Sequence, residues 1–178
     1  MPSTVPPRRT GPLPGIAGDV LLRRTLRRHA AGVTIVTVPG PAGFTATSFT
    51  SVSLRPPLVS FCVDVSASAA GAVRTADRFA VHLLGAHNAA LAGRFARGGI
   101  DRFAGTDVVR RADGVPVLTA APAWLAARTV LQQRLGDHLL VVGEVYAGGV
   151  REHAAPLVHH DGGYATAWPL PLTALDGT

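Results

Sequence analysis

The sequence predicts a mainly β domain with flanking helices, and three observations carry that prediction. Short runs rich in Val, Ile, Thr and Phe recur along the chain, each bounded by Gly, Pro or polar clusters, which is the punctuation of strands. Two longer segments, 123–135 and 138–146, are joined by Gly136-Asp137, a hairpin signal. Helical patterns are few and short, so the strands form a barrel that helices decorate. No internal repeat and no linker divides the chain.

In order along the chain, Asp19 is placed to cap a first helix running to about Ala30. Val20, Leu21, Leu22, Thr25 and Leu26 lie on one side of it and Arg23, Arg24, Arg27 and Arg28 on the other. Gly32 ends this helix, Val33 to Val38 reads as a β-branched strand, and Pro39-Gly40-Pro41 is a turn. Strands follow near 43–47, 51–54 and 58–63, then a helix near 68–76 and a strand from Arg78 to Leu84. A helix from Asn88 to Ala96 gives way at Gly98-Gly99 to an irregular stretch through Pro116, and the 123–146 hairpin comes last.

The length of 178 residues suits one domain, expected over 19–168, with 1–18 a disordered extension and 169–178 a tail. Met1 to Gly18 holds five prolines and lacks the apolar centre of a signal peptide. Hydrophobic residues make up 47% of the chain, yet no apolar run approaches the ~20 residues that span a bilayer. The single cysteine, Cys62, excludes an intramolecular disulfide, fits a reducing cytoplasm, and reads as a buried inert thiol. A net charge of +6 raises nucleic-acid binding, with the arginines of the first helix as the candidate surface. All seventeen basic residues are arginine, no groove-reading motif accompanies them, and a solvated helix face is the better account. The same charge would steer an anionic dinucleotide inward.

The chemistry concentrates in Gly43 to Pro57, where Thr45, Thr47, Ser48, Thr50 and Ser51 crowd five hydroxyls into nine residues around Phe49 and Val52. Short O–H groups beside backbone N–H groups suit a polar, phosphate-bearing ligand held against a sheet. An ordinary Ser/Thr-rich edge strand accounts for these residues equally well. Ser66-Ala67-Ser68, at a strand-to-helix junction, offers amides and hydroxyls to an anion, or a plain helix cap. The G-x-S-x-G elbow, the P-loop and the GxGxxG fingerprint are absent, and the seven histidines show no metal-ligand spacing.

Taken in order, Gly32 to Thr37, Gly43 to Pro57, Leu58 to Ser68, Arg78-Phe79-Ala80-Val81, Arg94-Phe95-Ala96, Asp101 to Gly105, Gly136-Asp137-His138, Val142 to Val145 and Gly162-Gly163-Tyr164 form a recognisable series. The series, over about residues 20–168, resembles the short-chain flavin reductases of the FMN-binding split β-barrel class, the reductase components of two-component flavin monooxygenases. The resemblance implies a flavin reductase-like split barrel, FMN or FAD as flavin, and NADH or NADPH as hydride donor. It also implies a homodimer and a separate oxygenase that receives reduced flavin. It places Thr45, Ala46, Thr47, Ser48, Phe49, Ser51 and Val52 along the flavin, Ser66, Ala67 and Ser68 at its phosphate, and Arg94 and Phe95 near its tail. His138 is placed at the nicotinamide, with Asp137 beside it to orient the imidazole, and Tyr164 borders that pocket.

The chain departs from the family pattern at His82 and Thr47, where relatives usually carry asparagine or a similar amide, and at Ala127, where many carry cysteine. The first two changes are expected to bear on flavin affinity or choice, the third on packing. A flavin-holding protein of the same fold without fast turnover, or a specialised flavin-dependent oxidoreductase of a biosynthetic pathway, is the alternative to a reductase.

Overall fold

A computed structural model describes residues 17–151 and 153–170, so most of the expected N-terminal extension and C-terminal tail lies outside the described residues. The elements are α1 (Gly18–Leu26), β1 (Ala31–Gly32), β2 (Thr34–Val38), β3 (Ala42–Ala46), β4 (Thr50–Leu54), β5 (Pro57–Asp64), α2 (Ala70–Thr75) and β6 (Arg78–Leu83). They continue with a 3-10 turn (Ala86–Asn88), α3 (Ala89–Ala96), β7 (Val108–Arg110), β8 (Pro116–Leu118), β9 (Ala123–Leu135), β10 (His138–Val150), β11 (Leu157–His160) and β12 (Gly163–Thr166).

Seven strands form one antiparallel sheet in the order β3-β2-β6-β9-β10-β5-β4. β3 and β4 are consecutive in the chain yet occupy opposite edges, joined by Thr47, Ser48 and Phe49 alone. Three residues reach about 10–13 Å, so the sheet must roll until its edges nearly meet. The edges do not pair with each other, which makes this a split barrel.

The interior is filled by alternate residues of the rolled strands. Phe61 packs its ring against Phe44 and Phe79 at 5.9 and 5.0 Å, and α2 contributes Ala70 and Val73. A second core lies on the other side of β2, where Val33, Ile35 and Leu118 meet Ala92 and Phe95 of α3. Every residue of β2 is therefore buried, which is why it reads as an unbroken β-branched run. Ala127 sits in the main core with no exposure, as its reading as a packing position requires.

The long hairpin is bulged twice, between Val142 and Gly143 and between Val145 and Ala147. The first bulge leaves Val130 unpaired and brings Gly143 so close to Phe79 that a Cβ would lie 2.4 Å from the ring. The second throws Tyr146 outward, where its hydroxyl donates to Asp113 at 2.8 Å and its ring joins Trp124 in flanking the Arg111 guanidinium.

Several boundaries differ from the sequence reading. The first helix ends at Leu26, and its N-cap is Ala17 with no side-chain bond, so Asp19 lies in the first turn and acts through the helix dipole. The helix buries no residue. It is pinned at its C-terminal end, where Arg27 Nε donates to Asp161 Oδ1 at 3.2 Å and the Asp161 amide donates to the Arg27 carbonyl. Arg28 also approaches Asp161, so two of the four clustered arginines face a hairpin turn of their own chain. The stretch read as irregular before Pro116 contains β7, paired with β8. The 157–160 and 163–166 segments, which periodicity did not separate from loop, form a small sheet with β1.

Candidate flavin site

A cavity of about 440 Å³ opens where β3, the Thr47–Phe49 connection, β5, α3 and the start of β10 converge. Of the residues singled out from the sequence, Thr45, Ala46, Thr47, Ser48, Ala67, Phe95 and His138 line it. Cys62, Asp64 and Arg102 line it too, although none of them was chosen from the sequence.

The remaining candidates lie elsewhere. Phe49 turns inward against the main core. Ser51 and Val52 stand exposed on β4, outside the cavity wall. Ser66 neither caps α2 nor faces the cavity, because its amide and hydroxyl both bond Asp64 Oδ1, at 2.8 and 2.7 Å. Ser68 is not a cap either. It accepts from Arg102 Nη2 at 3.0 Å and lines a neighbouring cavity of about 210 Å³. Arg94 directs Nη1 to the Ala104 carbonyl and to Thr106, away from the main cavity. Tyr164 belongs to β12, its ring edge-on to His159.

Arg102 is the cation that the sequence reading overlooked. Its Nε donates to the Arg97 carbonyl at 2.7 Å, Nη1 to the Gly43 carbonyl at 2.8 Å and Nη2 to Ser68. Among the described residues nothing takes the second N–H of either terminal nitrogen, and the side chain borders both the main cavity and the smaller one. Its position after an acidic residue in Asp101-Arg102-Phe103 was visible, but nothing local shows that the guanidinium folds back between β3 and the 64–69 loop.

His138 opens β10, opposite Asp64 on β5. Its Nδ1 lies 2.7 Å from Asp137 Oδ1. A carboxylate only accepts, so Nδ1 carries the proton and Nε2 is left for a ligand. The imidazole holds the Asp137 carboxyl below the usual carboxylate range. Asp64 is likewise held low, chiefly by its bonds from Ser66 and to a lesser degree by His138. Cys62 is half-buried on the cavity wall and not enclosed as the sequence reading had it, and what burial it has raises its thiol, in keeping with an unreactive residue.

His82, one of the two amide replacements, is remote from this cavity. It is fully buried, Nδ1 donating to the Ile35 carbonyl at 2.9 Å and Nε2 accepting from the Leu118 amide at 3.0 Å. An asparagine could supply the same donor and acceptor, so the replacement preserves a structural tie and does not touch the ligand wall directly. Thr47, the other replacement, is on the wall and exposed.

The donor set fits a flavin: an apolar wall from Ala46, Val63, Ala67 and Phe95, hydroxyls at the end of β3 and in the connection that follows it, a guanidinium for a phosphate and an imidazole beside the opening. A rolled, unclosed sheet with such a cavity defines a flavin-binding split-barrel protein. The sequence profile of the flavin reductase like domain matches residues 26–167, and the chain belongs to that family. It is 46% identical over 162 residues to an NADH:FMN oxidoreductase of Rhodococcus qingshengii, covering 86% of this chain and 83% of the relative. It is 38% identical over 153 residues to the actinorhodin polyketide dimerase of Streptomyces coelicolor, covering 84% and 86%. Among solved structures, the NADH:FAD oxidoreductase of Streptomyces globisporus in complex with NAD and FAD fragments superposes with a TM-score of 0.80 at 35% identity, covering 85% of this chain and 94% of that one.

Proposed function

We propose that this chain is an NAD(P)H-dependent flavin reductase that uses FMN or FAD and supplies reduced flavin to a separate oxygenase. The observation that carries the reading is the cavity itself, which gathers Thr45 to Ser48, Arg102 and His138 from separate stretches of a chain that belongs to the flavin reductase family. When bound, flavin supplies the hydride-accepting ring and nicotinamide the hydride. The chain's part is placement. Ala46 and Ala67 would give the ring an apolar wall with Phe95 packed behind it, and Arg102 would offer its remaining N–H groups to a phosphate. His138, held by Asp137, would keep Nε2 available to orient the nicotinamide beside the flavin.

The working form is a homodimer in the cytoplasm. The sheet face that bears Cys62, Asp64 and His138 also bears Leu131, Leu135, Leu140 and Val142 by register. Leu131 and Leu135 are 48% and 55% exposed there on either side of Gln133, a largely apolar strip beside the cavity suited to a second copy.

The likeness to a polyketide dimerase favours one second reading, a biosynthetic flavoprotein that holds flavin without releasing it reduced. Consumption of NADH and NADPH by the purified protein with FMN, FAD or no added flavin separates the two. Rapid oxidation that depends on added flavin supports the reductase, whereas tight flavin binding without turnover supports the alternative.

A further inference from the structure

We infer that Thr47 is the hydroxyl that donates to the flavin, and that Ser48 is a positioning residue that clamps the barrel seam. The inference rests on the flavin reading above and follows from counting protons. A hydroxyl has one proton to give. Thr45 Oγ1 gives its proton to the Ala92 carbonyl, at 2.6 Å, which ties β3 to α3. Ser48 Oγ gives its own to the Cys62 carbonyl at 3.1 Å and accepts from the Cys62 amide at 2.9 Å. Of the three hydroxyls on the cavity wall, only Thr47 keeps its proton uncommitted among the described residues. The flavin ring edge offers four acceptors, N1, O2, O4 and N5, against the single N3–H donor, so a wall hydroxyl with a free proton has acceptors to meet.

The reciprocal bond of Ser48 has a structural reason. β4 pairs with β5 only as far as Thr50 opposite Ser60, so Cys62 extends past the end of its neighbour. Both Cys62 backbone groups on that side would lack a strand partner, and Ser48 supplies a donor and an acceptor in one atom. It thereby fixes the three-residue connection that crosses the seam, and with it the position of Thr47 on the wall. The alternation that sets Thr47 free is thus produced by its neighbour.

The test combines amide exchange of the flavin-free protein with FMN titration by fluorescence quenching. Wild type should protect the Cys62 amide without flavin. Ser48→Ala should exchange that amide at least about tenfold faster and bind FMN about tenfold more weakly, the scale of one lost hydrogen bond. Ser48→Thr should restore both. Thr47→Val should weaken FMN binding about five- to tenfold and leave Cys62 protection and melting temperature at wild-type values, with Thr47→Ser recovering affinity. An unprotected Cys62 amide in wild type, or one still protected in Ser48→Ala, overturns the clamp. Unchanged FMN affinity in Thr47→Val overturns the donor assignment, even if Ser48→Ala fails to fold. A wild-type protein that binds no flavin overturns the proposed function and the Thr47 role together, while the exchange data still decide Ser48.

Discussion

His82 and His138 use the same ring in opposite ways. His82 is sealed between β2, β6 and β8, where burial, with a smaller contribution from Arg151, depresses its pKa to about 4 against the opposing Ile35 bond. In the unfolded chain it titrates near 6.5, so the unfolded state takes up the proton first as the pH falls. Stability from this residue is complete above pH ~6.5 and falls towards pH ~4, by about 3 kcal/mol over that window. His82→Asn, which keeps a donor and an acceptor, should flatten the slope of urea-unfolding free energy between those pH values. A slope identical to wild type would show that His82 protonates freely in the fold. His138, half exposed beside Asp137, has no such structural duty. His138→Ala should lower kcat/KM for the nicotinamide about 10- to 100-fold while FMN affinity stays within about threefold. An unchanged rate at low NADH would remove it from the nicotinamide site.

At the scale of elements, the hairpin of β9 and β10 sets the tightest constraint. Gly143 lies at a bulge with Phe79 directly behind it, and an added Cβ would meet that ring at 2.4 and 2.5 Å and the Ala127 Cβ at 3.0 Å. Gly143→Ala should therefore cost about 1–3 kcal/mol through displacement of the central phenylalanine, read as a lower melting temperature. A variant as stable as wild type would mean that β10 can slide outward at the bulge. The hairpin was legible because its turn, Gly136-Asp137, and its alternation are local signals. β11 and β12 were not, since Leu157 to His160 and Gly163 to Thr166 are four-residue strands whose pairing is decided by distant β1. The site was legible in the same uneven way. Thr45 to Ser48 and His138 announce themselves by type and spacing, whereas Arg102 reaches the cavity by bonds to Arg97, Gly43 and Ser68 that no local pattern encodes. Phe49, Ser51 and Val52 shared the segment's composition, but beyond the seam the strand turns them to the core or to the open edge.

For the whole molecule, the described chain leaves apolar surface that one barrel cannot cover. α1 has Val20, Leu22 and Leu26 at 43%, 59% and 53% exposure, and a nine-residue helix is marginal without something to pack on. Leu131 and Leu135 stand exposed on either side of Gln133, on the face that carries His138 and Asp64, so the two leucines and the cavity share one wall. A homodimer closed through that wall would cover the leucines and complete the flavin site in one step. Burying each leucine stabilises by about 1.5–3 kcal/mol, so placing a charge at both should weaken association at least about a hundredfold. Leu131→Glu combined with Leu135→Glu is therefore expected to run as a monomer by light scattering at concentrations where wild type is a dimer. Because the cavity would lose its cover, FMN affinity should fall with it, although neither residue lines the cavity. A double variant that remains dimeric would move the interface to another face, such as the exposed edge of β4 at Val52 and Leu54. A monomer that binds FMN as tightly as wild type would show that one barrel holds the flavin alone.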